Sequence, residues 1–187
     1  DANASADVDS QAVLSALGGI TSAAWLTTLN SALDKRMDGT TLTAAQITAM
    51  ANSYYRILSE ADGVVNTTTN VDVHPDTSAT TDNDPTAADY TNIGATVGNA
   101  KSVDLLNDYV GLSAKTAVDT VDEINVIAKA AYNVMLQAGV NAGSASAPAT
   151  YTSDNEWVAG LTAMGITGVT SSNITAIKAA IAATSTA

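Results

Sequence analysis

The chain has 187 residues, with 19 acidic against 7 basic side chains and a formal net charge of −12. That balance repels nucleic acid and anionic lipid headgroups, whose capture needs clustered Lys and Arg, so neither is expected as a partner. Cysteine and phenylalanine are both absent; disulfide and thiolate chemistry are excluded, and the core has to be assembled from Ala, Leu, Ile, Val and Tyr. The composition, rich in Thr, Ser, Asn and Ala and poor in Lys, leans toward an exported bacterial protein. No apolar run approaches the roughly 20 residues of a membrane-spanning helix. The opening "DANASADVDS" carries neither an initiating Met nor a signal-peptide pattern and reads as a mature product or an excised fragment.

In chain order, short helices are expected near residues 10–17 and 22–36, then a longer one from Thr43 to about residue 62. In the longer segment Ile47, Met50, Ala51, Tyr54, Ile57, Leu58 and Ala61 recur with the spacing of an amphipathic helix. Thr43 with Gln46 has the Ser/Thr-x-x-Glu/Gln form in which hydroxyl and amide satisfy the free N–H groups of a helix start. Gly63 follows the last periodic residue, where a left-handed C-cap favours Gly. The stretch "NTTTNVDVHPDTSATTDNDPT" then has no helical period and reads as a loop. Helices are expected again at 100–111 and 120–138. The second of these carries the stripe Ile124, Ile127, Ala128, Ala131, Val134, Met135 and Ala138, the Thr120–Glu123 capping box and a terminal Gly139. A Gly/Ser/Ala/Pro joint, "NAGSASAPATYTSD", leads to helices at 155–163 and 171–183, the first capped by Ser153 and Glu156. Runs of alternating β-branched residues are missing. The fold class is all-α.

The chain also repeats itself. A shift of 77 carries Thr43 onto Thr120, Ile47 onto Ile124, Tyr55 onto Tyr132, Leu29-Asn30 onto Leu106-Asn107 and Leu33 onto Val110. The register holds across an intervening loop, which defines an internal repeat of about 75 residues. A partial third copy, "MGITGVTSSNITAIKAAI", lies over "IGATVGNAKSVDLLNDYV": Gly165 meets Gly94, Ile174 meets Val103, Ile177 meets Leu106 and Ile181 meets Val110. It stops before its second helix, as a piece of a longer array or a degenerate cap would. The organisation is then tandem helical units packed as small bundles. A first unit covers 1–65, an acidic loop 66–89, a second unit 90–140, a linker 141–154 and a partial third unit 155–187. Equivalent positions, Tyr55 and Tyr132 among them, are expected to meet equivalent surroundings.

Catalytic constellations are sparse. His74 is the sole histidine and cysteine is absent, so neither a Cys/His pair nor a His-rich zinc site can be assembled. A Ser/His/Asp arrangement lacks the Gly-x-Ser-x-Gly turn, and no phosphate-binding Gly-Lys-Ser/Thr loop occurs. Gly18-Gly19 and "GITG" read as helix breakers at the equivalent turn of each unit. Enzymatic activity is not expected. One cluster could bind a ligand: Asp72, Asp76, Asp82, Asp84 and Asp89, with Asn83 among them. Hard cations such as Ca²⁺ take six to eight oxygens of this kind. The loop lacks the Gly and closing Glu of a helix–loop–helix calcium site, so a solvated linker and a Ca²⁺ site both stand, with Asp7 and Asp9 a smaller instance. The tyrosines, with Trp25 and Trp157, are large core fillers or, alternatively, a carbohydrate-stacking surface.

The segment "LTAMGITGVTSSNITAIKAAIAA", Leu161 to Ala183, resembles tandem helical repeats of very large exported bacterial surface proteins and adhesins; "ADYTNIGATVGNAKSVDLLNDYV" is a looser version. The resemblance implies secretion to the cell surface, many tandem modules, frequent Ca²⁺ dependence, and roles in adhesion or biofilm structure. The Gly-rich nonapeptide calcium repeats of such proteins are absent. Two functions follow as expectations: a spacer or adhesive module whose partners are neighbouring repeats and a host or matrix surface ligand, and a self-assembling subunit of an extracellular filament or surface layer.

Overall fold

The computed structural model describes residues 24–36, 42–61, 84–140 and 147–184. Every regular element among them is helical: α1 (Ala24–Arg36), α2 (Ala44–Glu60), α3 (Ala87–Asn92), α4 (Ala100–Gly111), a 3₁₀ turn (Lys115–Ala117), α5 (Val121–Gln137), α6 (Asp154–Ala163) and α7 (Ile174–Thr184). None of these helices is long and apolar enough to cross a membrane. The expected helix at 10–17 lies outside the described residues.

Local chemistry sets the boundaries. Gln46 Oε1 accepts from the Thr43 N–H at 2.8 Å while Thr43 Oγ1 accepts from the Gln46 N–H at 3.3 Å. Glu123 and Thr120 repeat the exchange at α5, and Glu156 and Ser153 at α6, each removing two unsatisfied donors from a helix start. As a result α2 and α5, both 17 residues long, start and stop at positions related by the same shift of 77 that aligns their sequences. Three helix ends close alike. The N–H groups of Gly94, Gly139 and Gly165 bond to Thr91, Leu136 and Thr162 carbonyls, and those of Ala95, Val140 and Ile166 reach back to Tyr90, Met135 and Leu161. This double closure needs the left-handed backbone at the glycine, and φ there is 88°, 73° and 76°.

These glycines share a conformation but not a setting. A Cβ on Gly94 would meet Arg36 Cγ and Cδ at 3.3 Å, whereas one on Gly165 would meet nothing within 4 Å. Gly165→Ala should therefore show backbone strain alone, about 1–2 kcal/mol. Gly94→Ala should be the costlier change, because it also displaces an Arg36 side chain bonded to the Thr91 carbonyl at 2.8 Å. Urea unfolding of the two variants measures the difference, and equal losses would contradict the packing half of this account.

α5 is central, packing on α1, α4, α6 and α7, while α2 packs on α1, α3 and α4. The pairing of α2 with α3 and α4 is thus matched by that of α5 with α6 and α7. One continuous core runs through all seven helices, from Leu29 and Leu33 through Ile57, Ile93, Leu106 and Ile124 to Leu161 and Ile174. Without Phe, tyrosine supplies the bulk. Tyr54 and Tyr90 are each at most 1% exposed, and their hydroxyls donate to the Val118 carbonyl at 3.3 Å and to Asn107 Oδ1 at 2.7 Å. A buried Tyr needs such a partner for its polar end.

Two expectations need correction. The acidic loop does not extend to residue 89, because Thr86 caps α3 and Ala87–Asn92 is helical. Tyr55 and Tyr132 do not share an environment: the first is 58% exposed and the second 8%. The neighbour of Tyr132, Asn133, holds an extended strap over α5. Its Nδ2 donates to the Ala149 carbonyl at 3.2 Å and its Oδ1 accepts from the Tyr151 N–H at 2.7 Å.

Candidate functional site

The side-chain arrangements that recur in this molecule are the joints between one long helix and the next short one. At the first joint, Asp89 is 6% exposed and is the third residue of α3. Its Oδ2 accepts from the Thr86 N–H at 2.9 Å, the Thr86 hydroxyl at 2.7 Å and Arg56 Nη1 at 2.8 Å. Its Oδ1 accepts from the Ser53 hydroxyl at 2.9 Å. One carboxylate thus closes the capping box of α3 and fastens that helix to α2. Burial pushes the Asp89 carboxyl up, but the hydrogen bonds from Thr86, Ser53 and Arg56 outweigh it and hold the group below its usual range.

The second joint repeats the device. Glu156, third residue of α6, accepts from the Thr152 N–H and hydroxyl at 2.7 and 2.8 Å and from Lys129 of α5 at 3.1 Å. The Thr152 bonds, with Lys129 after them, bring its carboxyl down to about 2. The Lys129 ammonium also lies 4.9 Å over the Tyr151 ring, which meets Trp157 edge-on at 5.3 Å. Behind that ring Gly160 leaves no room for a side chain, since a Cβ would come within 2.0 Å of the Tyr151 hydroxyl oxygen. Each joint therefore couples a cation on the long helix to the carboxylate that caps the next one. Further pairs span the assembly: Lys35 with Asp122 at 2.5 Å and Lys178 with Asp154 at 2.7 Å.

A second polar anchor is buried beneath the first joint. Asn107 accepts from Tyr90 and donates through Nδ2 to the Pro85 carbonyl at 2.8 Å, so α4 grips the lead-in to α3. Burial first, then the Glu60, Asp84 and Asp89 carboxylates, push the Tyr90 hydroxyl well above its usual range and keep it a donor. Burial and the Asp119 and Glu123 charges act likewise on Tyr54. Asp119 itself is raised by burial and by the charge and hydrogen bond of Glu123.

Of the acidic residues singled out for a cation, Asp72, Asp76 and Asp82 lie outside the described residues. Asp84 is half-buried ahead of α3, and Asp89 belongs to the joint, its oxygens engaged by four protein donors. Among the described residues no three His, Asp or Glu side chains converge as a metal ion requires. Tyr54, Tyr90, Tyr132 and Trp157 are buried and take the core-filling role. Trp25 falls where side chains are not described.

Sequence reasoning missed Asp89 as a cap, because its third-position residue is Asp rather than Glu or Gln. It passed over Asn107 although the repeat aligns Asn30 with it on an otherwise apolar face, the one available signal. Ser53, Arg56 and Asn133 gave none. No protein-family model, curated protein or solved structure matches the chain.

Proposed function

We propose that this chain is a non-enzymatic structural or adhesive module of a large bacterial surface protein, working in cell adhesion or the biofilm matrix. The observation that carries the reading is the repeated joint. A cation from each long helix, Arg56 or Lys129, meets the capping carboxylate of the next short helix, Asp89 or Glu156. Such a device fixes the geometry between successive units, which is what an array needs to hold its shape over length. The strongly acidic composition favours solubility at an exposed surface. The deciding experiment uses cells that make the protein: an antibody raised against this segment should label them intact, and deleting the segment should reduce their attachment. Antigen confined to the cytosol would overturn the reading.

A second reading, a self-assembling extracellular filament subunit, is favoured by the half-covered apolar side of α7. Its signature is a solution mass that climbs with protein concentration. Calcium enters as part of the surface reading, through the acidic residues preceding Asp89. Melting in millimolar Ca²⁺ should then exceed melting in excess chelator at fixed ionic strength, with Mg²⁺ less effective because it surrenders its waters reluctantly. Coincident melts would remove Ca²⁺ from the reading.

A further inference from the structure

α4 and α7 occupy equivalent places, related by the shift of 71 that carries Gly94 onto Gly165, and they differ in what covers them. On α4, Ser102, Val103, Leu106, Asn107, Val110 and Gly111 are all buried, and α5 is the helix most extensively packed on α4. At the equivalent places stand Asn173, just ahead of α7, and Ile174, Ile177, Lys178, Ile181 and Ala182 on it, and of these only Ile174 is buried. The turn before the helix tells the same story. Ala95 is 5% exposed, while its counterpart Ile166 is 36% exposed. The Thr96 N–H donates to Asn125 Oδ1 of α5 at 2.8 Å, which ties the turn before α4 to α5. All six of these α4 positions are buried, and all but one of their counterparts are open or half-open.

We infer that the face formed by Ile166, Ile177 and Ile181 is a docking site for an α5-type helix from a further unit. Its occupant is a capped amphipathic helix with an Ile/Val/Ala stripe and an amide side chain in its second turn. The chemistry of that occupant follows from the α4–α5 interface, which this face would continue. Among the described residues a second folded copy has no such helix to spare: its α5 packs on α1, α4, α6 and α7, and its α2 lies against α1, α3 and α4. The occupant is therefore a helix not yet paired, and the apolar residues left on α7 match those buried on α4 in kind as well as place.

The inference rests on the repeat-module reading, yet the two fail separately, because peptide capture and surface labelling of cells are independent readouts. The probe is a fluorescent peptide of residues 119–140, the α5 sequence with its own cap and terminal Gly. Titrated with the full chain, it should bind saturably in the micromolar range and gain helical circular dichroism. Ile177→Asp with Ile181→Asp should weaken binding by about tenfold or more, and Ile166→Asp, which alters an exposed turn rather than a helix, should weaken it without loss of folded structure. Tyr55→Asp, on the distant α2, should leave it unchanged. Absence of saturable binding, or equal binding by all variants, would overturn the proposal. So would self-association of the chain alone that Ile166→Asp abolishes, since that would give the face to a second copy.

Discussion

Asp89→Ala should destabilise the fold by about 3 kcal/mol at neutral pH, a large share of a typical domain's stability. Three losses combine. The α3 capping box disappears, worth about 1 kcal/mol. The Ser53 hydroxyl loses its acceptor in a buried setting, and an unsatisfied buried donor costs about 1–3 kcal/mol. The Arg56 pair is lost too, but that side chain is 43% exposed and rehydrates, so its share is small. The pH dependence follows from the lowered carboxyl. Its folded value lies below the usual aspartate range, so the contribution is fully present above the unfolded pKa and is lost as pH falls through the folded one. Urea unfolding should therefore separate the parent from Asp89→Ala widely at pH 7 and progressively less below about pH 4. Asp89→Asn, which keeps one acceptor and loses the charge, should fall between. A gap unchanged across that pH range would show that Asp89 acts by packing alone.

Leu106→Ala and Ile177→Ala should differ severalfold despite occupying equivalent positions. Leu106 is 1% exposed between α4 and α5, and truncating a fully buried Leu removes transfer free energy and leaves a cavity, about 3–4 kcal/mol. Ile177 is only half-buried on α7; much of its surface is already hydrated, and no closed cavity can form on its open side. About 1 kcal/mol is expected there. Chemical denaturation of both variants tests this directly. If Ile177→Ala costs as much as Leu106→Ala, the α7 face is covered and the docking inference loses its ground.

The all-α class, the starts of α2, α5 and α6 and the ends of α5 and α6 were legible in the sequence for a physical reason; the expected Gly63 cap of α2 lies outside the described residues. Capping boxes join residues three apart, the helical stripe repeats every three to four residues, and a left-handed glycine closes its own turn. Each of these interactions is complete within one local segment, so the residues that make it are adjacent on the page. Equal local patterns likewise gave α2 and α5 equal lengths, 17 residues each, at positions 77 apart. The joint was not. Asp89 meets Ser53 and Arg56 across 36 and 33 residues of chain, and nothing in "PTAAD" distinguishes a cap that also binds a neighbouring helix from one that faces water. The same limit governs Tyr55 and Tyr132, identical residues on matching helices, one open and one buried beside the strap that Asn133 holds. It governs Ile177 and Leu106 as well. Burial belongs to the set of helices that surround a position, and that set is fixed only when distant segments pack together.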